Sequence, residues 1–444
     1  MSPTWWCEHA WVDGRVVDGA LVTASNGVIV AIEPDQPPAG KRLHGLVIPG
    51  LANAHSHAFH RALRTHTQRG GGSFWTWRDA MYRIAERLTP QNYLELAAAV
   101  YAEMALAGIT AVGEFHYLHH GPDGVPYTDA NEMGHALVAA AAAAGIRLTL
   151  LDACYLSAGP SGQPLDGPQV RFGDGDADRW AQRTDALLVD TKGDEHVLIG
   201  AAVHSVRAVP ADQLERVASW ADAHSAPLHV HSSEQVAEVE QCQAAYGCTP
   251  TALLGEHGAL GPRTTAVHAT HLTDQDIVDM HASSTGTCFC PTTERDLGDG
   301  IGPAPALLAG PGLFSLGTDS HAMIDVLEEA RAVELDERLA GRRRGTISAA
   351  RLLEAATRYG HQALGWADAG RLEPGARADL VAIDLASVRT AGGGATAENV
   401  VFAASAADVT DVIVDGRTVV ADRHHRVEVG RALDDVIGRL WENT

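Results

Sequence analysis

The middle of the chain alternates short apolar runs with longer amphipathic segments, which is the pattern of a strand followed by a helix. The helix predicted from Thr89 to Ala107 is typical, since Thr89-Pro90 provides a cap and a first-turn proline and Gly108 a stop signal. The predicted strands, in chain order, are residues 48–57, 109–112, 146–151, 197–203, 227–231, 265–268, 286–290 and 313–317. Eight such units predict an α/β fold with a (β/α)8 TIM-like barrel. A doubly wound open sheet is the alternative, but no glycine-rich phosphate-binding fingerprint follows the first strand.

The two ends of the chain have a different pattern, in which short apolar strands are joined by tight turns. Asn26-Gly27 near the start and Asp415-Gly416 near the end are both typical two-residue hairpin turns between apolar runs. Because the N-terminal strands are too few to enclose a core, we expect them to pair with the C-terminal ones. We therefore predict a small β-sandwich domain formed by residues 1–47 and 369–444, with the barrel in residues 48–368.

Composition narrows the functional classes. The chain of 444 residues has 33 basic and 56 acidic side chains, a formal charge of −23, which disfavours binding to nucleic acid or to an anionic membrane. Any anionic substrate must be held by specifically placed arginines. The six cysteines lack the regular spacing of a disulfide framework and are expected to be reduced. No signal peptide or long apolar segment is recognisable, so we expect a cytoplasmic protein.

The first predicted strand ends in two histidines, His55 and His57. Residues two apart on a strand point to the same side, so both imidazoles can reach one metal ion. In a chain with 23 histidines such a pair is weak evidence by itself. The pair gains meaning only if further ligands follow at the right places in the fold.

Further candidate ligands stand at the ends of later predicted strands, where barrel enzymes place their active sites. His231 ends the fifth strand, His268 ends the sixth, and Asp319 follows the eighth. Imidazoles and a carboxylate suit a zinc-like divalent ion with a water in the remaining position. Glu234, three residues after His231, is placed to carry a proton. Each residue alone also has an ordinary explanation, as a buried histidine or a helix cap, but the combination at strand ends favours a metal site.

This constellation resembles the amidohydrolase superfamily, and more narrowly its deaminase and chlorohydrolase branch, over essentially the whole chain. That branch uses one metal ion, and His204-Ser205 stands here where two-metal relatives have a lysine. The resemblance implies a homodimer and a single divalent ion, zinc in preference to iron or manganese, held by His55, His57, His231 and Asp319. The spacing of His268 fits either a metal ligand or a contact with the reacting group, and the resemblance makes it catalytic.

Three longer motifs, Ser73–Arg78, Gly113–His120 and His204–Arg207, are similar to those of formiminoglutamate deiminases. The resemblance implies hydrolysis of N-formimino-L-glutamate, a small anionic substrate, to N-formyl-L-glutamate and ammonia. Two arginines can each hold one substrate carboxylate with a bidentate fork. The substrate-binding residues implied in this way are His60, Arg78, Tyr117, His204 and Arg207. The sequence departs from the family at His60, where several members have glutamine.

The same resemblance implies roles for the three catalytic residues. Asp319 is both ligand and base, Glu234 carries a proton to the leaving nitrogen, and His268 stabilises the tetrahedral centre. Two other functions stay open: a deaminase of the same branch that acts on a nucleobase or another cyclic amidine, and a metal-binding scaffold that has lost catalysis. The polar segment at residues 157–195 is either a lid over the site or a passive loop.

Overall fold

The structure is a computed structural model that describes residues 3–69 and 71–442. Its strands form two eight-stranded sheets. In chain order the strands are β1 Thr4–Val12, β2 Arg15–Ser25, β3 Val28–Glu33, β4 Lys41–Pro49, β5 Leu51–Ser56, β6 Ile109–His116, β7 Arg147–Cys154, β8 Val197–Val203, β9 Leu228–Ser232, β10 Thr264–His268, β11 Gly286–Phe289, β12 Phe314–Leu316, β13 Leu380–Ile383, β14 Val409–Val414, β15 Arg417–Ala421 and β16 His424–His425.

Strands β5 to β12 are parallel neighbours in sequence order, which confirms the predicted barrel. The barrel closes where the chain after β12 meets the end of β5. There the His55 carbonyl accepts hydrogen bonds from the backbone N–H groups of Thr318, at 3.1 Å, and Asp319, at 3.0 Å. Closure therefore places Asp319 beside the His-x-His pair, although 264 residues separate Asp319 from His55 along the chain.

Helices follow most barrel strands and cover the outside of the barrel. The predicted helix at residues 89–107 is confirmed as Pro90–Leu106, and its Thr89 side chain caps the N–H of Asn92. In chain order the helices are α1 Phe74–Arg87, α2 Pro90–Leu106, α3 Glu132–Ala144, α4 Ala177–Asp190, α5 Ala211–Ala223, α6 Val236–Tyr246, α7 Pro250–Glu256, α8 Asp274–Ser283, α9 Pro291–Leu297, α10 Ala304–Leu307, α11 Val326–Gly341, α12 Ala349–Glu354, α13 Gly360–Ala363, α14 Ala397–Phe402 and α15 Val429–Trp441. Within the described residues, no helix combines the length and the apolar character needed to cross a bilayer.

The two chain ends build the second sheet together, as predicted. Strand β4 joins them, since it pairs in parallel with β1 and antiparallel with β13. The strands form one continuous sheet in the order β16-β15-β14-β13-β4-β1-β2-β3, and it encloses its own apolar cluster, which includes Trp5, Leu43 and Leu380. The last helix, α15, lies against the barrel instead, where the indole of Trp441 donates to the Ala62 carbonyl at 2.7 Å. The division of the chain at residues 47 and 368 stays a prediction.

A buried arginine ties the barrel to the small sheet. Arg147, at the start of β7, has no solvent-exposed surface and pairs with Asp379 and, at 3.1 Å, with Asp415. Burial raises the pKa of Asp379, but the Arg147 guanidinium outweighs that effect and holds it below its usual value. A buried ion of this kind is stable only while both partners are present.

Candidate active site

Four metal-binding side chains meet at the carboxyl end of the barrel. His55 lies on β5, His57 directly after it, His231 on β9 and Asp319 after β12. The Nε2 atom of His231 lies 3.0 Å from that of His55 and 3.4 Å from that of His57. Oδ1 of Asp319 lies 3.4 Å from the Nε2 atoms of both His55 and His57. All four ligand atoms fall within 4.8 Å of one another, so one ion can contact them all.

The tautomers of two of these histidines fit a cation at this point. Nδ1 of His57 donates to the Phe115 carbonyl at 2.9 Å, and Nδ1 of His231 donates to the His204 carbonyl at 2.9 Å. Burial lowers the pKa of both imidazoles, so each is neutral and carries its only proton on Nδ1. Their Nε2 lone pairs therefore face each other at 3.4 Å, an arrangement that repels unless a cation lies between them.

His268 lies outside this group of four, surrounded by carboxylates. Its Nε2 is 3.8 Å from Glu234 and 3.8 Å from Asp319, and its Nδ1 is 3.3 Å from Glu294. Burial alone would lower the pKa of His268, but Glu234 and the other two carboxylates raise it well above its usual value. Burial also raises the pKa of Glu234. The site thus holds a cationic imidazole next to a carboxyl group that accepts a proton more readily than usual.

The backbone at the site is held in an uncommon conformation. His268 and Asp319 both have left-handed φ angles, of 69° and 39°, as does Ser233, at 54°, beside Glu234. Non-glycine residues in this region cost free energy, on the order of 1–3 kcal/mol each, and cluster at functional sites. These conformations lower the stability of the fold, and they set the directions in which His268, Asp319 and Glu234 point.

A cavity of about 650 Å³, partly open to solvent, leads to this cluster. The structure brings all the predicted substrate-binding residues to its walls, which include His60, Arg78, Tyr117, His204 and Arg207. His57, His231, Glu234, His268 and Asp319 line the inner end, and His55 lies behind them, fully buried. Every predicted site residue is therefore at or directly behind one cavity.

The two predicted arginines are available to a ligand. Arg78 on α1 stacks over the rings of Trp75, at 4.4 Å, and Tyr82, at 5.5 Å, and its buried Nε has no hydrogen-bond partner among the described residues. Arg207 lies in the loop after β8. Within residues 3–69 and 71–442, neither arginine forms an ion pair with a carboxylate. The cavity consequently holds two arginines that form no direct ion pair in the described residues, in a protein whose net charge is −23.

The remaining predicted contacts form a hydrogen-bonded aromatic wall. Nε2 of His60 lies 2.8 Å from the Tyr117 hydroxyl, which in turn contacts the sulfur of Met81 at 3.6 Å. The ring of His204 packs on Tyr155 with a centroid separation of 4.4 Å. His60 therefore positions Tyr117 at the cavity wall, while its own Nδ1 has no hydrogen-bond partner in the part of the chain that the structure describes.

The segment at residues 157–195 is packed rather than loose in the structure. It contains helix α4 and a short 3-10 turn at Gly167–Arg171. The buried Arg171 donates to the carbonyls of Ala85 and Leu88 at the end of α1, and Phe172 lines the cavity. This segment thus supports the helix that carries Arg78 and forms part of the cavity wall.

Three acidic residues in or beside the site are not identified by the sequence analysis. In the sequence, Glu114 stands only as one residue of the motif Gly113–His120. In the structure its carboxylate accepts hydrogen bonds from the Ser56 hydroxyl and from the Ala58 N–H, both at 2.7 Å, and so fixes the chain on both sides of His57. Burial raises the pKa of Glu114 to about 8. Glu238, which lines the cavity, and Glu294, which contacts His268, lie on helices after strands. Neither glutamate has a signal in the sequence that distinguishes it from a surface residue of a helix.

A second group of possible ligands, His116, His119 and Asp152, lies elsewhere in the barrel. Both oxygens of Asp152 accept hydrogen bonds from Arg183, each at 2.8 Å. Because this carboxylate already has a cationic partner, the group is a structural network rather than a second metal site.

Comparisons with known proteins agree with the geometry. Residues 46–419 match the Amidohydrolase family. Formimidoylglutamate deiminase of Pseudomonas aeruginosa is 40% identical over 437 residues, 94% of this chain and 95% of that protein. The 8-oxoguanine deaminase of the same organism is 30% identical over 86% of this chain and 82% of that protein. The crystal structure of an amidohydrolase from Brucella melitensis superposes with a TM-score of 0.92 and 34% identity, covering 99% of both chains. The predicted resemblance is confirmed, and the chain belongs to the amidohydrolase family.

Proposed function

We propose that the protein is a metal-dependent deiminase that hydrolyses N-formimino-L-glutamate to N-formyl-L-glutamate and ammonia. The observation that carries the proposal is a pair of arginines, Arg78 and Arg207, which form no ion pair in the described residues and lie in the same cavity as the four-ligand cluster. Such a pair suits a substrate with two carboxylates. The 40% identity to formimidoylglutamate deiminase over most of both chains supports the same substrate.

The metal ion belongs at the four-ligand cluster. His55, His57, His231 and Asp319 would hold it through nitrogen and oxygen atoms, a donor set that suits zinc. When bound, the ion supplies the Lewis acidity that makes water a nucleophile near neutral pH.

Three side chains around the cluster move the protons. Oδ2 of Asp319 faces His268 at 3.8 Å while Oδ1 faces the histidine pair, so this carboxylate can take the proton of the attacking water. Glu234, with its raised pKa, passes a proton to the leaving nitrogen. His268, whose pKa is raised by Glu234 and its other carboxylate neighbours, stabilises the negative charge that develops in the transition state.

The outer part of the cavity orients the substrate. Arg78 and Arg207 each bind one carboxylate, and Tyr117, His204 and His60 provide further polar contacts. Fixing both carboxylates leaves the formimino group directed towards Glu234 and His268. Since these contacts lie away from the reacting carbon, they lower the entropic cost of reaching the reactive geometry.

One observation favours a second candidate, a deaminase that acts on a nucleobase. The cavity wall carries Trp77, Tyr155 and Phe172, whose rings can stack on a planar base, and 8-oxoguanine deaminase is among the relatives. Ammonia release from N-formimino-L-glutamate and from guanine, cytosine and adenosine, measured on one zinc-loaded preparation, separates the two. Turnover of formiminoglutamate alone supports the proposal, and turnover of a base alone refutes it.

A further inference from the structure

A second glutamate in the cavity, Glu238, has no role in the proton transfers above. It lies in the first turn of α6, and its Oε2 accepts the backbone N–H of Glu234 at 3.1 Å. Glu238 lines the cavity, and its Oε1 is shielded from bulk solvent and has no hydrogen-bond partner in the described residues. An unpartnered buried carboxylate oxygen is costly, so a ligand that donates a hydrogen bond at this point would be favoured.

Glu238 shares the cavity wall with the proton carrier and with one of the arginines. It is in direct contact with Glu234 through the backbone N–H of that residue, and His268 and Arg207 line the same cavity. Glu238 is therefore a second carboxylate beside Glu234, in the cavity that also holds an arginine for a substrate carboxylate.

The substrate of the proposed reaction has a matching order of groups. Its formamidine carbon bears a terminal nitrogen and an inner nitrogen, and the inner nitrogen connects to the carbon chain that carries both carboxylates. With the carboxylates at the arginines and the formamidine carbon near Glu234 and His268, the inner N–H adjoins that carbon and comes within reach of Glu238, the neighbour of Glu234. This placement rests on the proposed function.

We propose that Oε1 of Glu238 accepts a hydrogen bond from the inner N–H of the substrate and so determines which nitrogen leaves. In the reaction the water oxygen bonds to the formamidine carbon, and one carbon–nitrogen bond then breaks. Cleavage at the terminal nitrogen gives ammonia and N-formyl-L-glutamate, whereas cleavage at the inner nitrogen gives formamide and L-glutamate. A nitrogen must gain a proton to leave. Glu234 protonates the terminal nitrogen, while an ionised Glu238 has no proton to give to the inner one.

The electrostatics of Glu238 agree with an ionised group under mildly alkaline conditions. Burial raises its pKa to about 7, and the nearby Arg207 limits that rise. At pH 8 the carboxylate is therefore mostly ionised, which makes this the appropriate pH for the test.

The test is a product analysis of the zinc-loaded protein at pH 8, by proton NMR of formamide and N-formyl-L-glutamate together with ammonia measurement. The wild type should release only ammonia and N-formyl-L-glutamate. In Glu238→Ala the inner nitrogen loses its acceptor and can take the proton of Glu234 in place of the terminal nitrogen. Formamide and L-glutamate should therefore become a measurable share of the products, and kcat/KM should fall by about 10- to 100-fold for one charge-assisted hydrogen bond. Glu240→Ala, an exposed glutamate on the same helix, is the matched control and should behave as wild type.

A second variant separates substrate contact from positioning of Glu234. Glu238→Gln keeps an oxygen for the Glu234 N–H but turns an amide donor towards the inner nitrogen. The inner nitrogen then has no acceptor for its N–H and can take the proton of Glu234, so this variant too should release formamide. If both variants release only ammonia and N-formyl-L-glutamate, Glu238 merely supports Glu234 and the inference is wrong, whatever the change in kcat. If the wild type does not turn over N-formimino-L-glutamate at all, the proposed function fails and this inference fails with it.

Discussion

Replacing Arg207 with methionine tests whether the two arginines of the cavity hold the two substrate carboxylates. Methionine keeps much of the apolar stem of the side chain and removes the charge. Truncating one partner of a buried, hydrogen-bonded charge pair costs about 2–5 kcal/mol. Because Arg207 has no ion pair to a protein carboxylate in the described residues, most of this free energy should be lost from substrate binding rather than from the stability of the fold. The expected loss in kcat/KM is about 30- to 4,000-fold.

The assay pairs each arginine variant with substrate analogues that lack one carboxylate. N-formimino-4-aminobutyrate lacks the α-carboxylate, and N-formimino-L-2-aminobutyrate lacks the side-chain carboxylate. If Arg207 and Arg78 each bind one of these groups, each methionine variant should lose much less activity on the analogue that already lacks its partner. The comparison of the two variants on the two analogues also shows which arginine binds which carboxylate.

The matched control is Arg83→Met, which removes an exposed arginine from the same helix as Arg78 but away from the cavity. It should leave all three kcat/KM values unchanged. An equal loss on the substrate and on both analogues in Arg78→Met and Arg207→Met would refute the two-carboxylate reasoning, since neither arginine would then recognise a particular group.

Three further predictions concern the proton carrier, the junction of the two sheets and a buried acid. Glu234→Gln should lower kcat by about 100- to 10,000-fold at unchanged metal content, because the amide cannot shuttle a proton; intact turnover would remove Glu234 from the mechanism. Arg147→Met should lower the free energy of unfolding by about 3–5 kcal/mol in urea titrations, because Asp379 is left buried and unpaired. Adding Asp379→Asn to this variant should restore part of the lost stability. If Arg147→Met alone is as stable as wild type, Arg147 does not hold the junction as described. Glu114 has a pKa of about 8 in the folded protein against about 4.5 in the unfolded chain, so its contribution to stability is present below about pH 4.5 and is lost as the pH rises to about 8. Glu114→Gln cannot ionise, so the loss of stability between pH 5 and pH 9 should be smaller in this variant than in wild type; an equal loss would mean that Glu114 does not titrate as described.

The strands of the barrel were predictable because each is an apolar run bounded by turn signals. The predicted bounds were least accurate for β6, which was expected to end at residue 112 and continues to His116. Its last residues include Glu114 and His116, and all eight positions of the strand are buried. Polar residues inside a fully buried strand interrupt the apolar pattern, so a prediction from that pattern places the end of the strand too early.

The metal-binding cluster was predictable for a different reason. In a barrel of parallel strands, residues at strand ends converge at one face, so the positions of His231 and Asp319 after apolar runs were enough to bring them together with the His-x-His pair. Glu238 and Glu294 could not be identified in this way. Both lie on helices, and the local sequence does not indicate whether a carboxylate on a helix points towards the cavity or towards solvent.

The parallel pairing of β1 with β4 was equally invisible to the sequence. Turn signals identify antiparallel hairpins, such as the one at Asn26-Gly27, but a parallel contact depends on how the whole sheet is arranged. The sequence therefore predicted that the two chain ends pair, and the order of the strands became clear only in the structure.

The most direct test of the proposed function is a proton NMR time course of N-formimino-L-glutamate with the purified protein, with ammonia and the metal content measured on the same sample. The account predicts that the metal-loaded protein forms one N-formyl-L-glutamate for each ammonia released, and that guanine, cytosine and adenosine remain unchanged under the same conditions. A metal-loaded sample that leaves N-formimino-L-glutamate intact while it deaminates one of the bases would contradict it.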